Sequence, residues 1–170
     1  MATLFNATSA LEDVDLTGCW GCGEVPVTTA LILNNPSLKR LSLANIYGLR
    51  DESVEVLARN AKQLEFLDVR YDALSGRGLG YLFFSHSFTL RVFSRRECYR
   101  LTNGSVFTLV EYSPTLKSLM VRGCRDVSEA SLRRIMAKGI NVDMQPPRDY
   151  TSSIARDLVA NMNRHLNLQI

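Results

Sequence analysis

The chain has only two histidines, His86 and His165, and neither stands at ligand-like spacing, so a zinc site is not expected. It also has no Gly-rich phosphate loop and no Gly-x-Ser-x-Gly turn. No spacing gathers Ser, His and Asp into a catalytic set. These absences argue against an enzyme and against a bound cofactor. No apolar run approaches the roughly 20 residues that a membrane helix needs. The first residues carry no basic region, and no arginine occurs before Arg40, so neither a secretory signal nor a transit peptide is expected. On that basis the chain is expected in the cytoplasm or nucleus. Aromatic residues are sparse at 8%, and no basic run is interleaved with them. The stacking that single-stranded nucleic acid binding requires is therefore missing.

What is present is a period. Leu11, Val14, Leu16 and Cys19 form a pattern that returns at Leu38, Leu41, Leu43, Ile46 and at Leu64, Leu67, Val69, Asp72. It returns again at Leu90, Phe93, Arg95, Cys98 and at Leu116, Leu119, Val121, Cys124, with leading residues 27, 26, 26 and 26 apart. Within each unit the first stretch alternates apolar and polar residues, as a strand with one buried face does. A helical period follows, as in Leu49, Val54, Leu57, in Leu101, Val106, Leu109 and in Val127, Leu132, Ile135. Thr102 and Ser128 precede two of these runs, and Asp51 a third, as candidate helix caps. The first unit is degenerate: Gly21, Gly23 and Pro26 replace helix formers, so residues 19–26 read as loop. A repeat of this length predicts an α/β solenoid of the leucine-rich kind, curved and right-handed, with a parallel sheet inside and helices outside. Five units exceed the roughly three needed for a stable stack. The solenoid is expected over residues 1–148. Pro146-Pro147 should stop it, and residues 149–170 should form a terminal helix. Ile154, Leu158, Met162 and Leu166 mark the apolar face of that helix, which either caps the stack or docks a partner.

Three of the four cysteines, Cys19, Cys98 and Cys124, share the position just after the strand. A small, weak donor turned inward there can serve neighbouring backbone carbonyls. Cys19-Trp20-Gly21-Cys22 has the form of a redox motif, but its place in the repeat favours a structural role. Cys22 is left without one and is expected to be labelled before Cys98 and Cys124. Cys98-Tyr99-Arg100-Leu101-Thr102 and Cys124-Arg125-Asp126-Val127-Ser128 carry a family resemblance. So do Asn35-Pro36-Ser37-Leu38 and Ser113-Pro114-Thr115-Leu116, with Asn or Ser in place of a cysteine. The 26-residue unit resembles the cysteine-containing leucine-rich repeats of F-box/LRR proteins, the substrate receptors of SCF ubiquitin ligases, and of antagonist-of-mitotic-exit relatives. The resemblance implies a protein-recognition module in a ubiquitin-ligase pathway. No F-box precedes the first repeat, so direct binding of the Skp adaptor is not expected of these residues. A structural or assembly role unrelated to ubiquitin is the other reading.

The open face of the sheet should carry the second, fourth and sixth residues after each leading leucine. The sixth-residue column holds Arg70, Arg96 and Arg122 in consecutive repeats. Three stacked guanidinium groups suit a carboxylate or phosphate bound in fork geometry. Alternatively, Asp68, Asp72 or Glu97 neutralises them within the chain. Phe66, Val92 and Met120 are apolar residues on the same face, and with Asp68 they complete the candidate partner-binding set. Net charge is −3 over residues 1–85 and +6 over residues 86–170, which also points toward an acidic or phosphorylated protein partner. Arg95 stands where other units carry Leu or Val, so either a strand bulge or an acidic partner is expected there.

Overall fold

The computed structural model describes residues 5–46, 48–70, 74, 78, 80–82, 89–96, 98 and 100–143. Strand and helix alternate: β1 Asp13–Asp15, α1 Val25–Asn34, β2 Arg40–Ser42, α2 Asp51–Asn60, β3 Phe66–Asp68, β4 Val92–Ser94, α3 Asn103–Tyr112, β5 Ser118–Met120, α4 Glu129–Met136 and β6 Asn141–Val142. Between β3 and β4 the described residues Gly78, Gly80, Tyr81 and Leu82 are helical. The six strands form one all-parallel sheet in the order β1-β2-β3-β4-β5-β6. The α/β class expected from the alternating pattern is the class the chain adopts.

The register follows the sequence period. Val14 lies beside Leu41, Leu41 beside Leu67, Leu67 beside Phe93, Phe93 beside Leu119, and Leu119 beside Val142. These six residues are buried, and the residues on either side of them in each strand point to the opposite face. A one-residue slip would turn every apolar side chain to solvent, so the pattern fixes the register. The ladder continues past the strands, since the Leu43 amide donates to the Asp68 carbonyl at 2.8 Å and the Asn45 amide to the Arg70 carbonyl at 2.9 Å. The turn that follows has a conformational demand of its own. Gly18, Asn45 and Gly123 occupy equivalent positions and all have positive φ, at 72°, 60° and 83°. Glycine enters that region freely and asparagine more readily than most residues.

The helices cover the buried side of the sheet. Val54 and Leu57 of α2, Val106 and Leu109 of α3, and Leu132 and Ile135 of α4 join the strand residues in one core. Thr102 caps α3 by accepting from the Ser105 amide, and Ser128 caps α4 by accepting from the Ser131 amide, as the sequence predicts. Two local expectations are corrected. Arg50, not Asp51, is the cap residue of α2, and Asp51 and Glu52 lie inside the first turn, where acidic groups suit the helix dipole. The loop expected over residues 19–26 ends at Glu24, and Val25 and Pro26 already belong to the opening turn of α1, where a missing N–H costs no helical bond. Asn35 takes over at the end of α1. Its side-chain amide donates to the Leu31 carbonyl at 2.8 Å, and its side-chain oxygen accepts from the Leu11 amide at 3.0 Å.

Arg95 lies in the buried column and is fully enclosed. The strand does not bulge: the Arg95 amide keeps the ladder by donating to the Met120 carbonyl at 2.8 Å. Its guanidinium donates through Nη2 to the Leu74 carbonyl at 3.0 Å. A long side chain thus carries its charge across the layer to a backbone acceptor. The final strand covers Asn141–Val142, and residues 144 onward lie outside the described residues. The boundary at residue 148, the Pro146-Pro147 stop and the terminal helix also lie outside them.

Candidate functional site

The solvent side of the sheet is organised as columns, because each offset in the repeat meets itself in the next strand. One column runs along the edge where the strands begin: Glu12, Lys39, Glu65, Arg91 and Lys117. Their amides form a continuous rail, Lys39 to the Glu12 carbonyl, Glu65 to Lys39, Arg91 to Glu65 and Lys117 to Arg91, each at 2.8 Å. The side chains of the first four alternate in sign, with Lys39–Glu12 at 2.9 Å and Arg91–Glu65 at 3.5 Å, and Lys117 adds a second cation beside Arg91. All four paired side chains are well exposed, so each pair contributes at most about 1 kcal/mol. Sequence reading missed this rail. Its signal was there, as a charged residue immediately after each leading residue, alternating in sign through the first four units.

Among the described residues the open face carries three ion pairs. Arg40 meets Asp13 at 3.1 Å, and its guanidinium also lies 4.6 Å from the centre of the Phe66 ring. Arg70 meets Asp68 at 2.8 Å. Arg96 reaches Asp143 at 2.6 Å. The second oxygen of Asp143 accepts from the Val121 amide at 2.6 Å, so this carboxylate ties the turn after β5 to Arg96. Asp15 accepts from the Thr17 amide at 2.8 Å, and the Thr17 hydroxyl lies 2.7 Å from that of Ser42. The Thr17 hydroxyl and then its amide hold the Asp15 carboxyl below the usual value, with smaller help from Ser42 and the Arg70 charge. Asp13, Asp15, Arg40, Phe66, Asp68 and Arg70 line an open hollow of about 200 Å³ at this end of the face.

The three arginines singled out in the sequence therefore differ. Arg70 and Arg96 are half-buried and engaged by carboxylates, whereas Arg122 is exposed and has no ion pair among the described residues. Asp68 is one of the neutralising groups named from sequence, and it is buried. Asp72 and Glu97 lie outside the described residues. Asp143 is the neutralising group that sequence reading missed. Its reach to Arg96 spans an intervening strand, which no spacing shows. Phe66, Val92 and Met120 are half-buried, one in each of three consecutive strands.

The cysteines line the other side. The Cys124 thiol donates to the Arg95 carbonyl at 2.9 Å, and the Cys98 thiol to the Arg96 carbonyl at 3.4 Å. These are the inward, backbone-serving positions expected. Burial pushes the Cys124 thiol up to about 11. Cys22 departs from expectation: it is fully buried, while Cys19 is half-buried and the more open of the two. The degenerate loop folds inward there, and this brings Cys22 into the core. Among the described residues no cluster of His, Cys, Asp and Glu could hold a metal ion, and no helix is long and apolar enough to cross a membrane. No protein-family model matches the chain.

Proposed function

We propose that the chain is a leucine-rich-repeat solenoid that works as a protein-recognition module, with the open face of its sheet as the binding surface. One observation carries this reading. Equivalent residues of each repeat stand in register across six parallel strands, and three adjacent strands present Phe66, Val92 and Met120 to the solvent side. Apolar groups framed by charged pairs are what an interface core with a polar rim requires. An acidic or phosphorylated segment would meet Arg122 directly. To reach Arg70 or Arg96 it would have to displace Asp68 or Asp143.

The resemblance of the 26-residue unit to F-box/LRR repeats supports substrate recognition in an SCF-type ubiquitin-ligase pathway. A structural or assembly role is the alternative. Affinity purification with mass spectrometry separates them. Ligase subunits, or proteins whose ubiquitination depends on this chain, support the first, and a stable complex with no ligase connection supports the second. Folded Phe66→Lys and Met120→Lys variants should recover fewer of the same proteins. Undiminished recovery with both would move the binding surface off this face.

A further inference from the structure

The charges of the open face do not cancel evenly, and the remainder has a direction. Asp13 with Arg40, Asp68 with Arg70, and Asp143 with Arg96 form three neutral pairs. Two charges are left over among the described residues of the face. Asp15 in β1 has no ion pair among the described residues and is held mainly by hydroxyl and amide donors, with Arg70 contributing least, and Arg122 follows β5. Asp15 lies on the first strand and Arg122 just past the fifth of six; Phe66 and Val92 lie on strands between them, and Met120 lies on β5 itself, beside Arg122.

We propose that the face binds an extended peptide segment lying across the strands, with a basic residue at Asp15, a large apolar residue over Val92 and Met120, and an acidic residue at Arg122. This rests on the recognition reading above and specifies its partner. Adjacent strands are about 4.8 Å apart, so four spacings from β1 to β5 span roughly 19 Å. An extended chain advances about 3.3 Å per residue, which places the basic and acidic residues about six positions apart. The apolar residue, centred between β4 and β5, falls nearer the acidic one, about five positions from the basic end. A chain in this path need not break the Asp68–Arg70 or Asp143–Arg96 pair, which leaves the neutral rungs as a level floor under it.

The test is selection of displayed random dodecapeptides on the whole chain, repeated with Asp15→Asn, Asp15→Lys, Arg122→Gln and Arg122→Glu. Asp15→Asn keeps an acceptor for the Thr17 amide, so it removes charge without removing that local bond. Enriched peptides should carry a Lys or Arg about six positions from an Asp or Glu, in either chain direction, with the apolar residue closer to the acid. Arg122→Glu should change the acidic preference to basic, and Asp15→Lys should change the basic preference to acidic. Each neutral variant should weaken a selected peptide by about three- to tenfold. Peptides that lose binding with Val92→Lys but ignore Asp15 and Arg122 would overturn the polarity while leaving the recognition face in place. Peptides indifferent to all of these variants, or no enrichment, would overturn both. Concentration-dependent self-association, weakened by Arg122→Glu alone and restored by adding Asp15→Lys, would mean that a second copy occupies the face, and would also overturn the proposal.

Discussion

Leu67 is the residue on which the packing can be judged most simply. It is fully buried in the middle of the apolar column, between Leu41 and Phe93. Truncation removes that burial and leaves a cavity that neighbours on both sides cannot close. Leu67→Ala should therefore lose about 2–5 kcal/mol in chemical denaturation, and a loss below about 1 kcal/mol would remove Leu67 from the core. Cys124 gives a second test, through pH. Its folded pKa is raised from 9.0 to about 11 by burial. As pH climbs through 9 the unfolded chain's thiol ionises first, so the support this group gives to folding is intact below about pH 9 and lost toward pH 11. Wild type should lose stability relative to Cys124→Ala across that window, and a constant difference would show that the thiol titrates normally. Thiol labelling of the native chain at neutral pH should modify Cys19 first. Early reaction at Cys22 would mean that the loop carrying it opens more readily than its burial implies.

Elements differ in how much their own sequence specifies them. Helices α3 and α4 begin on side-chain caps, Thr102 and Ser128, whereas α1 and α2 show no side-chain cap bond. Thr102→Ala and Ser128→Ala should each destabilise by about 0.5–2 kcal/mol, while Arg50→Ala should change little, all read from denaturation midpoints. Equal losses at all three would show that the hydroxyl bonds contribute nothing. These two caps were legible because a hydroxyl stood just before an apolar helical run. The loop before α1 was legible from Gly21 and Gly23, and the reading erred only in extending it through Val25 and Pro26. Pro26 fell in an opening turn, where proline is tolerated, and Leu31 and Ile32 pack the helix into the core. The places and register of the strands were readable from alternation and period, though each strand covers only part of its alternating stretch. What escaped was reach between elements. Asp143 meets Arg96 across β5, and Arg95 crosses the layer to Leu74, and neither distance is written in a spacing.

At the scale of the molecule, the parallel register turns a one-dimensional period into a two-dimensional surface. Each substitution at one offset changes one rung of a column and leaves the rest of the column in place. The same regularity separates the two sides: helices pack the buried column, and the open face is free to vary in chemistry. The proposed role requires that partner affinity reside on that open face and not on the helices, whose outer surface also exposes Leu33 and Met136. The decisive measurement is titration calorimetry of a partner recovered by affinity purification against four folded variants: Val92→Lys and Met120→Lys on the sheet, Leu33→Lys and Met136→Lys on the helices. Affinity should fall at least about tenfold for each sheet variant, as for truncated interface hot spots, and stay within about twofold for each helix variant. The opposite pattern, with the sheet variants binding like wild type and the helix variants failing, would contradict recognition by the open face.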